Sequence, residues 1–68
     1  MVFEYKIGEI VPKGKLGVVE RYFPNDIVSS ATIVGLDDSG TYRYYEVDVK
    51  SEKHGKTRIS IPVNDLNG

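Results

Sequence analysis

TYRYYEVDV, residues 41–49, packs three tyrosines and two valines into nine positions. Neighbouring side chains of a strand face opposite ways, so residues two apart share a face. Val47 and Val49 alternate with Glu46 and Asp48, which assigns the valines to a core. Tyr45 has the parity of the valines and goes inward, its hydroxyl reaching a rim where water or a backbone group can partner it. Tyr42 and Tyr44 have the parity of the two acids and are expected on the outer face.

The flanking sequence is also β-rich, and no long amphipathic helical stripe stands out. Five extended stretches are predicted. The first covers residues 5–11 and ends at Pro12, which cannot donate to a ladder. The second is LGVVERYF, residues 16–23, with Gly17 as a bulge or positive-φ bend. The third runs over residues 26–36, with Ser29 and Ser30 as a break. DDSG, residues 37–40, reads as a hairpin turn into the fourth, residues 41–49. The fifth is TRISIPV, residues 57–63, where Thr57, Ile59, Ile61 and Val63 alternate with Arg58, Ser60 and Pro62. Pro62 marks an edge or a strand end. VNDL, residues 63–66, reads as one helical turn, with Asn64 or Asp65 bonding locally. Five short strands suggest a small closed barrel, because closure removes exposed sheet edges.

With 68 residues the chain, 1–68, reads as one domain. A domain of that size hides only about 60% of the surface its unfolded chain exposes. There is no cysteine and one histidine, His54. Disulfides, thiolate zinc sites and iron–sulfur clusters are therefore excluded, and neither a metal nor a cofactor is expected. Self-association is one remaining way to support a small core. Net charge is −1, unlike the strongly basic footprint of a dedicated DNA-binding domain. No apolar run spans a membrane, and residues 1–10 lack a signal-peptide pattern. A cytoplasmic location is the expectation.

Three stretches carry a family resemblance. KIGEIV (residues 6–11), KLGVVERYF (residues 15–23) and the pair YYEVDV and TRISIPVNDL resemble an SH3-like small β-barrel of the KOW/CarD-like type. ISIPVND, residues 59–65, is similar to the end of CarD-like modules, which bind bacterial RNA polymerase. The chain lacks the histidine-containing element that usually follows the first strand of those modules. The resemblance implies an all-β, five-stranded SH3-like barrel with a short C-terminal helical turn. It also implies a protein partner in the transcription machinery.

Chemistry-bearing motifs are sparse. HGKT, residues 54–57, ends like a phosphate-binding P-loop. However, Lys50 stands where a glycine is required, and no helix is predicted to follow. The serines have no nucleophile elbow around them. The paired carboxylates Glu46 and Asp48 lie on the outside of a strand, and a barrel this small fills its interior with side chains. A non-enzymatic binding module is the expectation. Its contact surface is Tyr42 and Tyr44 with Glu46 and Asp48 beside them, since tyrosine offers broad contact area with a polar tip. Tyr22 is a candidate to extend that surface. One alternative is nucleic-acid binding through a patch of Lys13, Lys15, Lys53, Lys56 and Arg58. Another is a homo-oligomer joined through the tyrosine face.

Overall fold

The computed structural model describes residues 2–67. Three antiparallel strands form its centre: β1 (Val28–Asp37), β2 (Tyr44–Ser51) and β3 (Gly55–Pro62), in the order β1-β2-β3. The alternation of β2 sets the register. Tyr45 lies between Leu36 and Ile61, Val47 between Ile33 and Ile59, and Val49 between Ala31 and Thr57. Tyr45, Val47 and Val49 are fully buried, as are Ile33, Ala31 and Ile61 in the flanking strands. Period-two patterning thus fixes the inner face of the sheet.

β1 keeps Val28, Ala31 and Ile33 buried across two irregularities, while Leu36 at its far end stays 39% exposed. The register slips between Val28 and Ser30, where the Ser29-Ser30 break was expected, and again between Ile33 and Gly35. The second slip makes Val34 an extra residue, which returns Leu36 to the face of Tyr45. Gly35 then sits opposite Glu46, and a Cβ there would lie 3.2 Å from Glu46 Cβ. Glycine is suited to that close approach.

The sheet is open, and the expected five-stranded closed barrel is not formed. Residues 5–11 turn at Ile7-Gly8, where Glu9 N donates to Lys6 O (3.0 Å), and among the described residues their one ladder contact is the bridge from Ile10 to Thr32. They lie along the outer edge of β1. Gly8 N donates to Ile33 O (2.7 Å), Ile33 N to Glu9 O (2.8 Å) and Val11 N to Ala31 O (2.8 Å). Gly8, at φ 94°, bends this strap and prevents a longer ladder.

The expected second strand is helical instead. A 3-10 turn, Lys13–Lys15, leads into α1 (Leu16–Glu20). Leu16, Val19 and Phe23 fall at i, i+3 and i+7, one face of a helix. Val19 and Phe23 are buried, and Leu16 packs against the core. A helix also supplies its own backbone partners, and the edge of β1 is already occupied by the strap. Helical packing therefore outweighs the β preference of the Val18-Val19 pair. Gly17 has an ordinary helical φ and open space around it, so it is neither a bulge nor a bend. With this stretch helical, no further strand among the described residues joins β3 to the strap, and the sheet stays open.

The connection after Asp37 is longer than a tight hairpin, running over residues 38–43. The Asp37 carboxylate organises its start by accepting Ser39 N (3.1 Å) and Ser39 Oγ (2.8 Å). Gly55, at φ 63°, opens β3 directly, so a strand rather than a helix follows HGKT. Pro62 ends β3, and Val63–Leu66 forms the expected helical turn, α2, which buries Val63 and Leu66.

Candidate binding surface

Tyr44, Glu46 and Asp48 occupy the outer face of β2, as their parity requires, and all three are half-buried. Both acids are engaged within the sheet. Ser60 Oγ lies 3.0 and 2.9 Å from the two Glu46 carboxylate oxygens. Arg58 donates to Asp48 through Nε (2.7 Å) and more weakly through Nη2 (3.5 Å). The hydrogen bond from Arg58 holds the Asp48 carboxyl below its ordinary range despite partial desolvation, with the charges of Arg58 and Lys56 adding to it. These are cross-strand pairs, so the carboxylates belong to the ladder as much as to any contact surface.

Tyr42 differs from Tyr44. It precedes β2, in the 38–43 loop, and is 71% exposed. A cleft of about 340 Å³ opens beside it, lined by Thr41, Tyr42, Arg43, Pro62, Val63 and Asn64. The backbone holds this cleft in shape, since Val63 N donates to Arg43 O at 3.0 Å. Tyr22, in the turn after α1, is partly exposed. Burial raises its phenol pKa, and the charge of Asp65 adds to the effect against Arg21. Tyr22 is not on a strand beside Tyr44.

The basic residues fall on two separate elements. Lys13 and Lys15 sit in the 3-10 turn beside α1. Lys53, Lys56 and Arg58 sit on the β2–β3 hairpin, where Lys50 and Lys56 face each other across the strands. Among the described residues, no cluster of three or more His, Asp or Glu side chains is arranged to hold a metal. Nor is any helix long and apolar enough to cross a membrane.

Two clusters escaped the sequence reading. The first is centred on the Tyr45 hydroxyl. It accepts Glu4 N (2.7 Å) and Tyr5 N (3.2 Å) and donates to Asn67 Oδ1 (2.5 Å). Asn67 Nδ2 in turn donates to Val2 O (2.7 Å). Phe3 and Tyr5 pack edge-on against the Tyr45 ring, with centroids 5.3 and 5.6 Å away. The hydroxyl expected at a rim is thus a buried junction between the first and last segments. Among the described residues Asn67, rather than Asn64 or Asp65, makes the side-chain bond at this end.

The second cluster is centred on Asp26, whose side chain is shut from solvent. Its Oδ1 accepts Ile27 N (2.7 Å) and Lys53 N (2.9 Å), and its Oδ2 lies 2.8 Å from His54 Nδ1. Burial alone would raise the Asp26 pKa. The bonds from His54, Lys53, Ser51 and Ile27 outweigh that and hold the carboxyl far below its ordinary value. Ser51 Oγ accepts His54 N (3.2 Å), and Phe23 packs edge-on against the imidazole. Asp26 bonds both Lys53 N and the His54 ring, and Ser51 bonds His54 N, so together they clasp the hairpin. Asp26 and Lys53 are 27 positions apart, and only a tertiary contact joins them, so no local pattern announced the pair.

Set against protein-family models, curated proteins and solved structures, the chain matches none.

Proposed function

We propose that this chain is a non-catalytic binding module for a protein partner, with Tyr42 at the centre of the contact. The supporting observation is the exposure of Tyr42 beside Arg43 at the mouth of a cleft. Tyrosine and arginine are the residue types that dominate binding energy at interfaces, chiefly when seated next to a pocket. Tyr44 backs this site on the outer face of β2. Glu46 and Asp48, already bonded to Ser60 and Arg58, shape the rim.

The test is recovery of partners from a lysate with the native chain and with a Tyr42→Ala variant, followed by affinity measurement on whatever is recovered. Loss of Tyr42 should weaken the interaction by at least about tenfold, the range of an interface anchor. An unchanged partner list with unchanged affinities sinks the reading. The resemblance to CarD-like modules makes bacterial RNA polymerase the first purified partner to try. Nucleic-acid binding through the hairpin cations Lys53, Lys56 and Arg58 with Lys13 and Lys15 is the competing reading. It requires binding of a single-stranded oligonucleotide that falls steeply with added salt.

A further inference from the structure

The outer edge of β3 is unpaired. Val63 N bonds Arg43 O, so the ladder to β2 runs through the odd residues Ile61, Ile59 and Thr57. In an antiparallel pair the intervening residues turn their peptides the other way. The N–H and C=O groups of Lys56, Arg58 and Ser60 therefore point away from β2. Among the described residues none of them meets a backbone partner. The register from Gly55 to Pro62 has no bulge to twist this edge aside.

We infer that this edge accepts an extended acidic segment of another protein as a fourth strand. Strand addition takes its affinity from main-chain hydrogen bonds and its selectivity from alternate side chains. An added strand sets its outward side chains against Lys56, Arg58 and Ser60. Lys56 is exposed, and its charge reaches only as far as Asp48 on the neighbouring strand without a side-chain hydrogen bond among the described residues, so an acid is favoured opposite it. On the other face, Thr57 and Ile59 are half-buried at the margin of the core, and an apolar residue would cover them. The matching segment alternates acidic and apolar residues. A second copy of this chain fits poorly, because antiparallel pairing centred on β3 sets Arg58 against Arg58 of the other copy. Charged edge strands suppress self-pairing in this way. The inference uses a different edge from the Tyr42 cleft and does not depend on it.

The probe is an end-blocked peptide of alternating glutamate and valine, seven residues long. Controls are its lysine-valine counterpart and a copy N-methylated at alternate residues to remove the donors that would face β3. Binding is read by amide exchange and chemical shifts of the native chain. The glutamate peptide should slow exchange at Lys56, Arg58 and Ser60, while the other two peptides should not. Lys56→Glu, an exposed change, should weaken the glutamate peptide by about tenfold through like-charge opposition. The inference is overturned by absence of binding at millimolar peptide, by equal binding of the N-methylated copy, or by binding that leaves those three amides unprotected. A dimer that already protects them without peptide overturns it as well.

Discussion

The two long edges of the sheet differ in what covers them. On β1, the outward peptides of Ala31 and Ile33 are bonded by residues 8–11. On β3, the outward peptides of Lys56, Arg58 and Ser60 have no backbone partner among the described residues. Strand composition does not explain the contrast, since both strands alternate apolar and polar side chains. The cause is the anchoring of the strap. Tyr45, in the middle strand, grips Glu4 and Tyr5 through one hydroxyl and holds Phe3 and Tyr5 by ring contact. An edge is covered where a buried side chain fixes the covering segment, and protected by charge where none does.

The strongest way to break this arrangement is Tyr45→Ala. Removing a large buried aromatic costs about 3–5 kcal/mol, comparable with the roughly 3–5 kcal/mol such a small core supplies. The variant should show no cooperative thermal transition. A folded Tyr45→Ala variant would show that the core does not depend on this ring. Tyr45→Phe keeps the ring and removes only the hydroxyl, with its bonds to Glu4 N, Tyr5 N and Asn67 Oδ1, for a loss of about 1–3 kcal/mol. Hydrogen exchange should then quicken at Gly8 and Val11 more than at β2 amides. Uniform quickening would mean that strap and sheet open as one unit.

Acid sharpens the comparison from the other side, because Asp26 clasps the hairpin that carries the bare edge. Its folded-state pKa is depressed, so its contribution is complete above the ordinary value and is lost as pH falls. Asp37 and Asp48, also depressed, act in the same direction. Between about pH 5 and pH 2 the native chain should lose stability, and Asp26→Asn should lose it less steeply. Parallel acid limbs in denaturant titrations would remove Asp26 from this role. The smallest effect is expected at Tyr42, where alanine should shift stability by less than about 0.5 kcal/mol. A larger loss in thermal melting would make Tyr42 a structural residue rather than a contact residue.

The parts legible in the sequence were those governed by a strict local period. Tyr45, Val47 and Val49 alternate with acids, and Thr57, Ile59 and Ile61 alternate with Arg58 and Ser60, so β2, β3 and their inner faces could be read directly. VNDL could be read as a turn for a similar reason. The Leu16–Glu20 helix was obscured because one turn and a half of helix leaves few repeats, and its Val18-Val19 pair also suits a strand. Residues 5–11 have a strand's composition. Whether they form a ladder or a strap depends on Gly8 and on a hydroxyl some forty residues away. Tyr42 has the parity of the outer strand face, but β2 begins only at Tyr44. The Tyr45 and Asp26 junctions join residues distant in sequence, which periodicity does not encode.

The bond from Asn67 to Val2 has a geometric consequence. The described chain leaves the fold within one hydrogen bond of where it enters. The path is close to a ring, with little loop entropy left to lose if its two ends were joined. Joined there and cut in the exposed 38–43 loop, the same residues would keep every strand pair while β2 became the leading segment. For the same reason the unit can sit inside a loop of a larger protein without forcing that loop apart.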